Sequence, residues 1–442
     1  MLSREQAKKV AGRVLSYSSF PDCDVSLTSS ERAFIRFARN GITTSGYTIG
    51  QTLTITSVKE GRTGSTTVDE FDDRSLKEAV RRTEQLALIS PPDPERSESL
   101  APQKYAAIEN FADSTATARN DVMIPHLRAI IERAESSGLV AAGFMERTAA
   151  SSALANRRGN FGYGRLTDSH LSATVRNAEG TSSGWASQPA VRIEEINGAA
   201  VAKTAIDKCL GWKNPRRLDP GKYTVVLEPT AVGDLVERIA FSFQARSAEE
   251  GRSWLSRKGG GTLAGEKLFP DSITLRTDPF HKLYSSLPWN DGAGLPSGPV
   301  AWIEKGVVKN LFYDRYWARK AGRQPTPFPG NLVLDGGGKT LADLIGSVER
   351  GLLVTRFWYI RPVNPQTGQQ TGLTRDGLFL IENGKVTSPV VNFRFNESPV
   401  RLLQNAVAIG TPTRVRGGEG AGMIAPPMVV KDFPFTSVSD AV

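Results

Sequence analysis

Tyr223-Thr224-Val225-Val226-Leu227 is a short apolar run rich in β-branched residues, and it reads as a buried strand. It decides the fold because of what lies on either side. Ahead of it is the polar stretch Gly211-Trp212-Lys213-Asn214-Pro215-Arg216-Arg217-Leu218-Asp219-Pro220-Gly221-Lys222, which reads as a linker. Behind it, as far as Val442, come mostly short strands and glycine-rich turns. Residues 218–442 are therefore expected to form a large β-rich C-terminal domain.

Working back towards the N-terminus, a middle segment closes with a helix near Glu194 to Leu210. It opens with a helix around Val122 to Ala134, in which Pro125 is tolerable only in the first turn. Alternating strands lie between, including Leu139–Phe144 and Ala173–Val175. A second linker, proline-rich from Ser90 to about Tyr105, separates this segment from the first one. There Ser3 and Gln6 form a capping box, and Ala7, Val10, Ala11, Val14 and Leu15 make one apolar helix face. Strand text follows at Asp24–Thr28, Ala33–Ala38 and Thr52–Val58, with turns at Asn40-Gly41 and Gly61-Arg62. Asp73 or Ser75 then caps a helix carrying Leu76, Ala79 and Val80. The expected fold class is α+β: a small N-terminal α/β domain (1–105), a middle α/β domain (106–217) and the β-rich C-terminal domain (218–442).

Composition narrows the functional classes. The 442 residues are too many for one ordinary core, and 39% apolar with 23% charged is normal for a folded soluble chain. No apolar run approaches the ~20 residues that span a bilayer, and the charged start Met1-Leu2-Ser3-Arg4-Glu5 lacks a signal-peptide core. A cytoplasmic location is expected, with no membrane partner. Although the net charge is +9, the 55 basic and 46 acidic residues are interspersed. No basic stripe, zinc finger or helix-turn-helix accompanies the charge, so nucleic acid is not the expected partner.

Several pieces together resemble the TldD/PmbA family along nearly the whole chain. Ile35-Arg36-Phe37-Ala38-Arg39-Asn40-Gly41-Ile42 is similar to its first strand pair, and Gly61–Thr67 with Ser75–Val80 to the next strand and helix. Leu218–Pro229 resembles the entry to its C-terminal domain, and Asp278-Pro279 through Pro288–Gly294 a later turn. The most specific piece is Arg375-Asp376-Gly377-Leu378-Phe379-Leu380-Ile381-Glu382-Asn383-Gly384-Lys385-Val386, leading through Ser388-Pro389-Val390 to Asn405–Gly410.

The resemblance implies a metal site in the family's catalytic branch, where a helix carries His-Glu-x-x-x-His and a cysteine near the C-terminus completes the ligand set. Two imidazoles on one helix bind zinc while the glutamate activates water. Here the equivalent helix reads Gly233-Asp234-Leu235-Val236-Glu237-Arg238-Ile239-Ala240-Phe241-Ser242-Phe243. Anchored on Gly251-Arg252-Ser253, Val236 and Phe241 stand at the histidine positions and Glu237 at the glutamate. Thr411–Met428 is short and has no cysteine. That departure resembles the PmbA (TldE) branch, which lacks the ligands and pairs with a TldD-type subunit.

The residues left over do not rebuild a metal site. His126, His170 and His281 are the only histidines and none is spaced to pair with another; each is expected to be exposed or locally hydrogen-bonded. Cys23 and Cys209 are expected to be small buried or surface thiols, since neither has a histidine partner or a C-x-x-C neighbour. Gly336-Gly337-Gly338-Lys339-Thr340 lacks phosphate-loop spacing, because Val333 stands where the first glycine belongs, and it reads as a turn.

The resemblance therefore implies a TldE-like subunit, inactive alone, with no cofactor of its own; zinc or a similar metal belongs in a TldD-type catalytic partner. The partners implied are that subunit in a heteromer, or a second copy in a homodimer packed through the C-terminal domain, and unfolded or extended peptides. Two other readings are a peptidase with an unconventional site, resting on Glu237 alone, and a non-proteolytic protein- or DNA-associated regulator, which the family's label of modulator of DNA gyrase suggests.

Overall fold

The computed structural model describes residues 1–289, 292–418, 420 and 422–440. Asn290 and Asp291 of the expected Pro288–Gly294 turn, Glu419 and Ala421 of the Thr411–Met428 segment, and residues 441–442 lie outside the described residues. The chain is a mixed α+β protein built on three sheets.

The first sheet joins strands from both segments before residue 217. Its order is β3 (Arg62–Val68), β2 (Gly41–Lys59), β1 (Asp22–Ala38), β4 (Val140–Asn156), β5 (Phe161–Arg176), β6 (Ser183–Ala190), all antiparallel. β1 pairs with β2 on one side and with β4, from Asp24↔Asn156 to Phe37↔Gly143, on the other. Successive side chains point to opposite faces, so Cys23, Val25, Leu27, Ala33, Ile35 and Phe37 share one face. Two helix pairs cover it side by side. α1 (Arg4–Tyr17) and α2 (Asp73–Ile89) pack on Val25 and Leu27. Beyond α3 (Asp113–Thr117), α4 (Asn120–Ser136) and α5 (Gly198–Gly211) pack on Ile35 and Phe37.

Local details correct the sequence reading. Asp24–Thr28 and Ala33–Ala38 are one seventeen-residue strand. Ser29–Arg32 carry no apolar alternation, but ladders on both sides satisfy their backbone. The cap of α2 is Asp72, whose carboxylate accepts from the amides of Arg74 and Ser75. Pro125 is the sixth residue of α4, beyond the first turn. The amide it lacks would have faced the carbonyl of Asp121, which is exposed and can be solvated. Neither expected linker hangs free. Ser99 bonds the carboxylates of Asp22 and Asp24, and the indole of buried Trp212 donates to the carbonyl of Val390 (3.0 Å).

In the C-terminal half, Gly221–Leu227 is β7, the middle of a nine-stranded sheet. It runs parallel to Arg350–Val354 and antiparallel to Met428–Val438, and Val225, Val226 and Leu227 are fully buried. A six-stranded sheet from Leu275–Thr277 to Met423–Ala425 packs against the same core. That core is aromatic-rich: Phe357 stacks on Phe433 (5.4 Å) and sits 4.6 Å from Phe395. Among the described residues, no helix is long and apolar enough to cross a membrane.

Candidate functional site

β7 leads into α6 (Pro229–Val236), with Pro229 in the first turn where its missing amide costs nothing. Ala231, Val232, Leu235 and Val236 bury one side of the helix in the core. At Glu237 the backbone tightens into a 3-10 helix that runs to Phe243. Val236 and Phe241, which the resemblance sets at the histidine positions, therefore lie on either side of a change of helix type. Val236 is fully buried, whereas Phe241 is 65% exposed and packs 6.0 Å from Phe328. Phe241 lines a hollow of about 180 Å³ with Arg238, Trp254 and Pro362.

Glu237 points the other way, towards glycines near the C-terminus. Its Oε2 accepts from the amide of Gly422 at 3.0 Å. A Cβ on Gly420 would fall 2.0 Å from Oε1, so any larger residue there would have to displace the Glu237 carboxylate. Asp234, one turn earlier, behaves alike. Its Oδ2 accepts from the amide of Phe357 (3.0 Å), and a Cβ on Gly417 would meet Oδ1 at 1.8 Å. Burial, opposed by Arg356 and the Phe357 amide and reinforced by Glu237, pushes Asp234 up to about 7.

Arg356 is the hub of this region, at 3% exposed. Its guanidinium lies between the rings of Trp185 (4.1 Å) and Trp358 (5.0 Å) and reaches Asp376 at 3.3 Å. Asp376 in turn accepts from Ser183 Oγ at 2.9 Å. Since Trp185 and Ser183 belong to β6, this cluster ties the first sheet to the C-terminal half. A second tie lies nearby: Arg416 is 3.4 Å from Glu146 and 3.6 Å from Asp168, and Arg414 also pairs with Asp168. Sequence reading missed both clusters. The signal within reach was Asp376 beside Gly377, both at positive φ (56° and 132°), inside the stretch that carries the family resemblance.

The histidines lie apart. The Nδ1 of His126 accepts from the amide of Gly198, and that of His281 from Leu283, each at 3.3 Å. His170 differs from expectation. It faces the Arg414–Arg416 segment from β5, is 8% exposed, and its Nε2 has no hydrogen-bond partner among the described residues. Burial, with Arg416 and Arg414 beside it, pushes it down to about 3, so the ring is neutral. Cys23 and Cys209 are buried, beside Ser57 and Ser182, and burial raises both thiols. Gly336–Gly338 lead into the capping box of Thr340 and Asp343 on a helix of only six residues.

No three His, Cys, Asp or Glu side chains among the described residues are placed to hold a metal ion. The donor set at the motif positions does not fit zinc. A valine in the core and an exposed phenylalanine offer no lone pair, and the glutamate between them already accepts a backbone amide.

Comparison with known proteins identifies the family. The profile of the PmbA/TldA metallopeptidase C-terminal domain matches residues 220–437, and that of the PmbA/TldA metallopeptidase domain 1 matches residues 23–87. The chain belongs to the TldD/PmbA family. Among curated relatives, a metalloprotease TldD homolog of Buchnera aphidicola from Acyrthosiphon pisum is 25% identical over 181 residues, 37% of each chain. A metalloprotease PmbA homolog of Buchnera aphidicola from Baizongia pistaciae is 24% identical over 168 residues, 36% of each chain. The matched stretches thus span about a third of these relatives' length. TldE from Thermococcus kodakarensis shares the fold, with a TM-score of 0.86 at 20% identity, covering 97% of this chain and 99% of that one. A DNA-gyrase-modulator candidate from Bacteroides thetaiotaomicron does so too, with a TM-score of 0.86 at 22% identity, covering 99% and 100%.

Proposed function

We propose that this TldD/PmbA-family chain is a TldE-like subunit without metal chemistry of its own, and that it assembles with a TldD-type catalytic subunit acting on unfolded or extended peptides. One observation carries the reading: at the motif positions Val236 is part of the core, Phe241 faces out, and Glu237 is held by the amide of Gly422. Any metal resides in the partner. This chain contributes walls and sheet edges, and a strand edge recognises peptide backbone without regard to sequence.

The test is a co-expressed pair of this chain with a TldD-type chain, assayed on an unfolded peptide. Glu237→Gln in this chain is expected to leave the rate within about twofold. The same change at the partner's motif glutamate is expected to lower the rate by about 10² or more. Cleavage by this chain alone, or a tenfold loss from Glu237→Gln, would sink the proposal.

A further inference from the structure

The two helix pairs that cover the first sheet leave a gap between them. α1 and α2 stand on Val25 and Leu27 of β1, and α4 and α5 stand on Ile35 and Phe37. Between those positions Glu31 and Ala33 floor a cavity of about 820 Å³, a size suited to a small molecule. The strand register sets Tyr47 of β2 on one side of Ala33 and Arg147 of β4 on the other. Residues 116–121, which end α3 and begin α4, form the wall.

Arg147 is the unusual member. It is 3% exposed, and charged side chains are rarely so buried without an opposite charge. Its Nε donates to the carbonyl of Ala118 (3.0 Å) and its Nη1 to that of Glu31 (3.3 Å), and the guanidinium lies 5.4 Å from the centre of the Tyr47 ring. Among the described residues no carboxylate forms an ion pair with it. Glu31 turns its carboxylate to the amine of Met1 (2.5 Å) and the hydroxyl of Tyr47 (2.6 Å). Those two contacts hold the Glu31 carboxyl below the usual carboxylate range.

The start of α4 adds positive character to the same cavity. Arg119, its N-cap residue, supplies no side-chain cap, and the amides of Asn120 and Asp121 donate to nothing among the described residues. Such amides at the start of a seventeen-residue helix carry its positive end and favour an anion. The exposed guanidinium of Arg119 is on this wall as well. Besides Glu31, the acidic group there is Asp121, which is exposed.

We propose that this cavity binds a small oxyanion, a phosphate or carboxylate group, seated between the first amides of α4 and the guanidinium of Arg147. The anion brings the opposite charge that the buried arginine does not find in the chain, and it accepts from the two amides. All the lining residues lie between 31 and 147, so the site stands or falls independently of the TldE-like reading.

Calorimetric titrations of the full chain with inorganic phosphate and, separately, with acetate test it. At about 0.15 M salt at least one of the two is expected to half-saturate the chain at about 1 mM or below. Arg147→Met keeps an apolar stem and removes the charge. Asn120→Glu sets a carboxylate in the first turn of α4, where it suits the helix dipole and leaves the chain folded. Each variant is expected to weaken binding at least about tenfold. Melting curves check that both are folded; if Arg147→Met is not, Asn120→Glu decides alone. Tighter binding of phosphate assigns a phosphate-bearing ligand, and tighter binding of acetate a carboxylate-bearing one. Saturation by neither anion below about 10 mM overturns the proposal, and so does an affinity that the folded variants leave unchanged.

Discussion

At the residue scale the sharpest feature is Asp234, a carboxyl raised to about 7 beside Glu237 and under Gly417. Its folded pKa lies above the unfolded value of about 3.9, so between those values the folded chain binds a proton that the unfolded chain has lost. This group therefore favours folding most below about pH 4, and its contribution falls as pH rises towards 7. Asp234→Asn, which keeps an acceptor for the Phe357 amide, should stabilise the chain by about 1–2 kcal/mol at pH 8 and little at pH 4. Chemical denaturation at the two pH values checks this; equal effects at both would refute it. The placing of Glu237, Val236 and Phe241 at motif positions comes from the resemblance, which supplies a register for one short helix; the structure adds only their surroundings. Asp234, Arg356 and Asp376 were not legible in the sequence, because their partners are distant in the chain. Asp234 meets Phe357 within the C-terminal half, and Arg356 and Asp376 meet Trp185 and Ser183 only once the first sheet docks on it. His170 failed for the same reason: its polar neighbours in sequence suggested exposure, but the arginines that bury it come from residues 414 and 416.

At the element scale, glycine positions show where helices lie tight against strands. A Cβ on Gly184 in β6 would fall 2.1 Å from the carbonyl of Ala205 and 2.6 Å from the amide of Cys209, both α5 backbone. Gly184→Ala should cost about 1–3 kcal/mol, since neither backbone can yield. Gly12 in α1 has nothing within 4 Å of such a Cβ, and Gly12→Ala should stabilise by about 0.5–1 kcal/mol. Urea midpoints for the pair check both signs together. Periodicity made α1 and its Ser3–Gln6 box plain, because capping and amphipathic spacing are local. It broke the first strand in two because Ser29-Ser30-Glu31-Arg32 reads as a gap. Pairing to β2 and β4, which no local pattern reveals, carries the strand through.

At the scale of the whole molecule, the α+β class and a strand-rich C-terminal half were readable from β-branched runs and glycine turns. The shared sheet was not, because the long-range ladder from β1 to β4 leaves no spacing in the sequence. The central claim is that this chain has exchanged its family's metal chemistry for packing: Val236 sits in the core, and Glu237 is bound to the amide of Gly422. Metal content of the purified full-length chain after zinc-replete expression, measured by mass spectrometry, tests it most directly. The account predicts far less than one zinc per chain, removed by a chelator with no change in the melting curve. One tightly held, chelator-resistant metal per chain would contradict it.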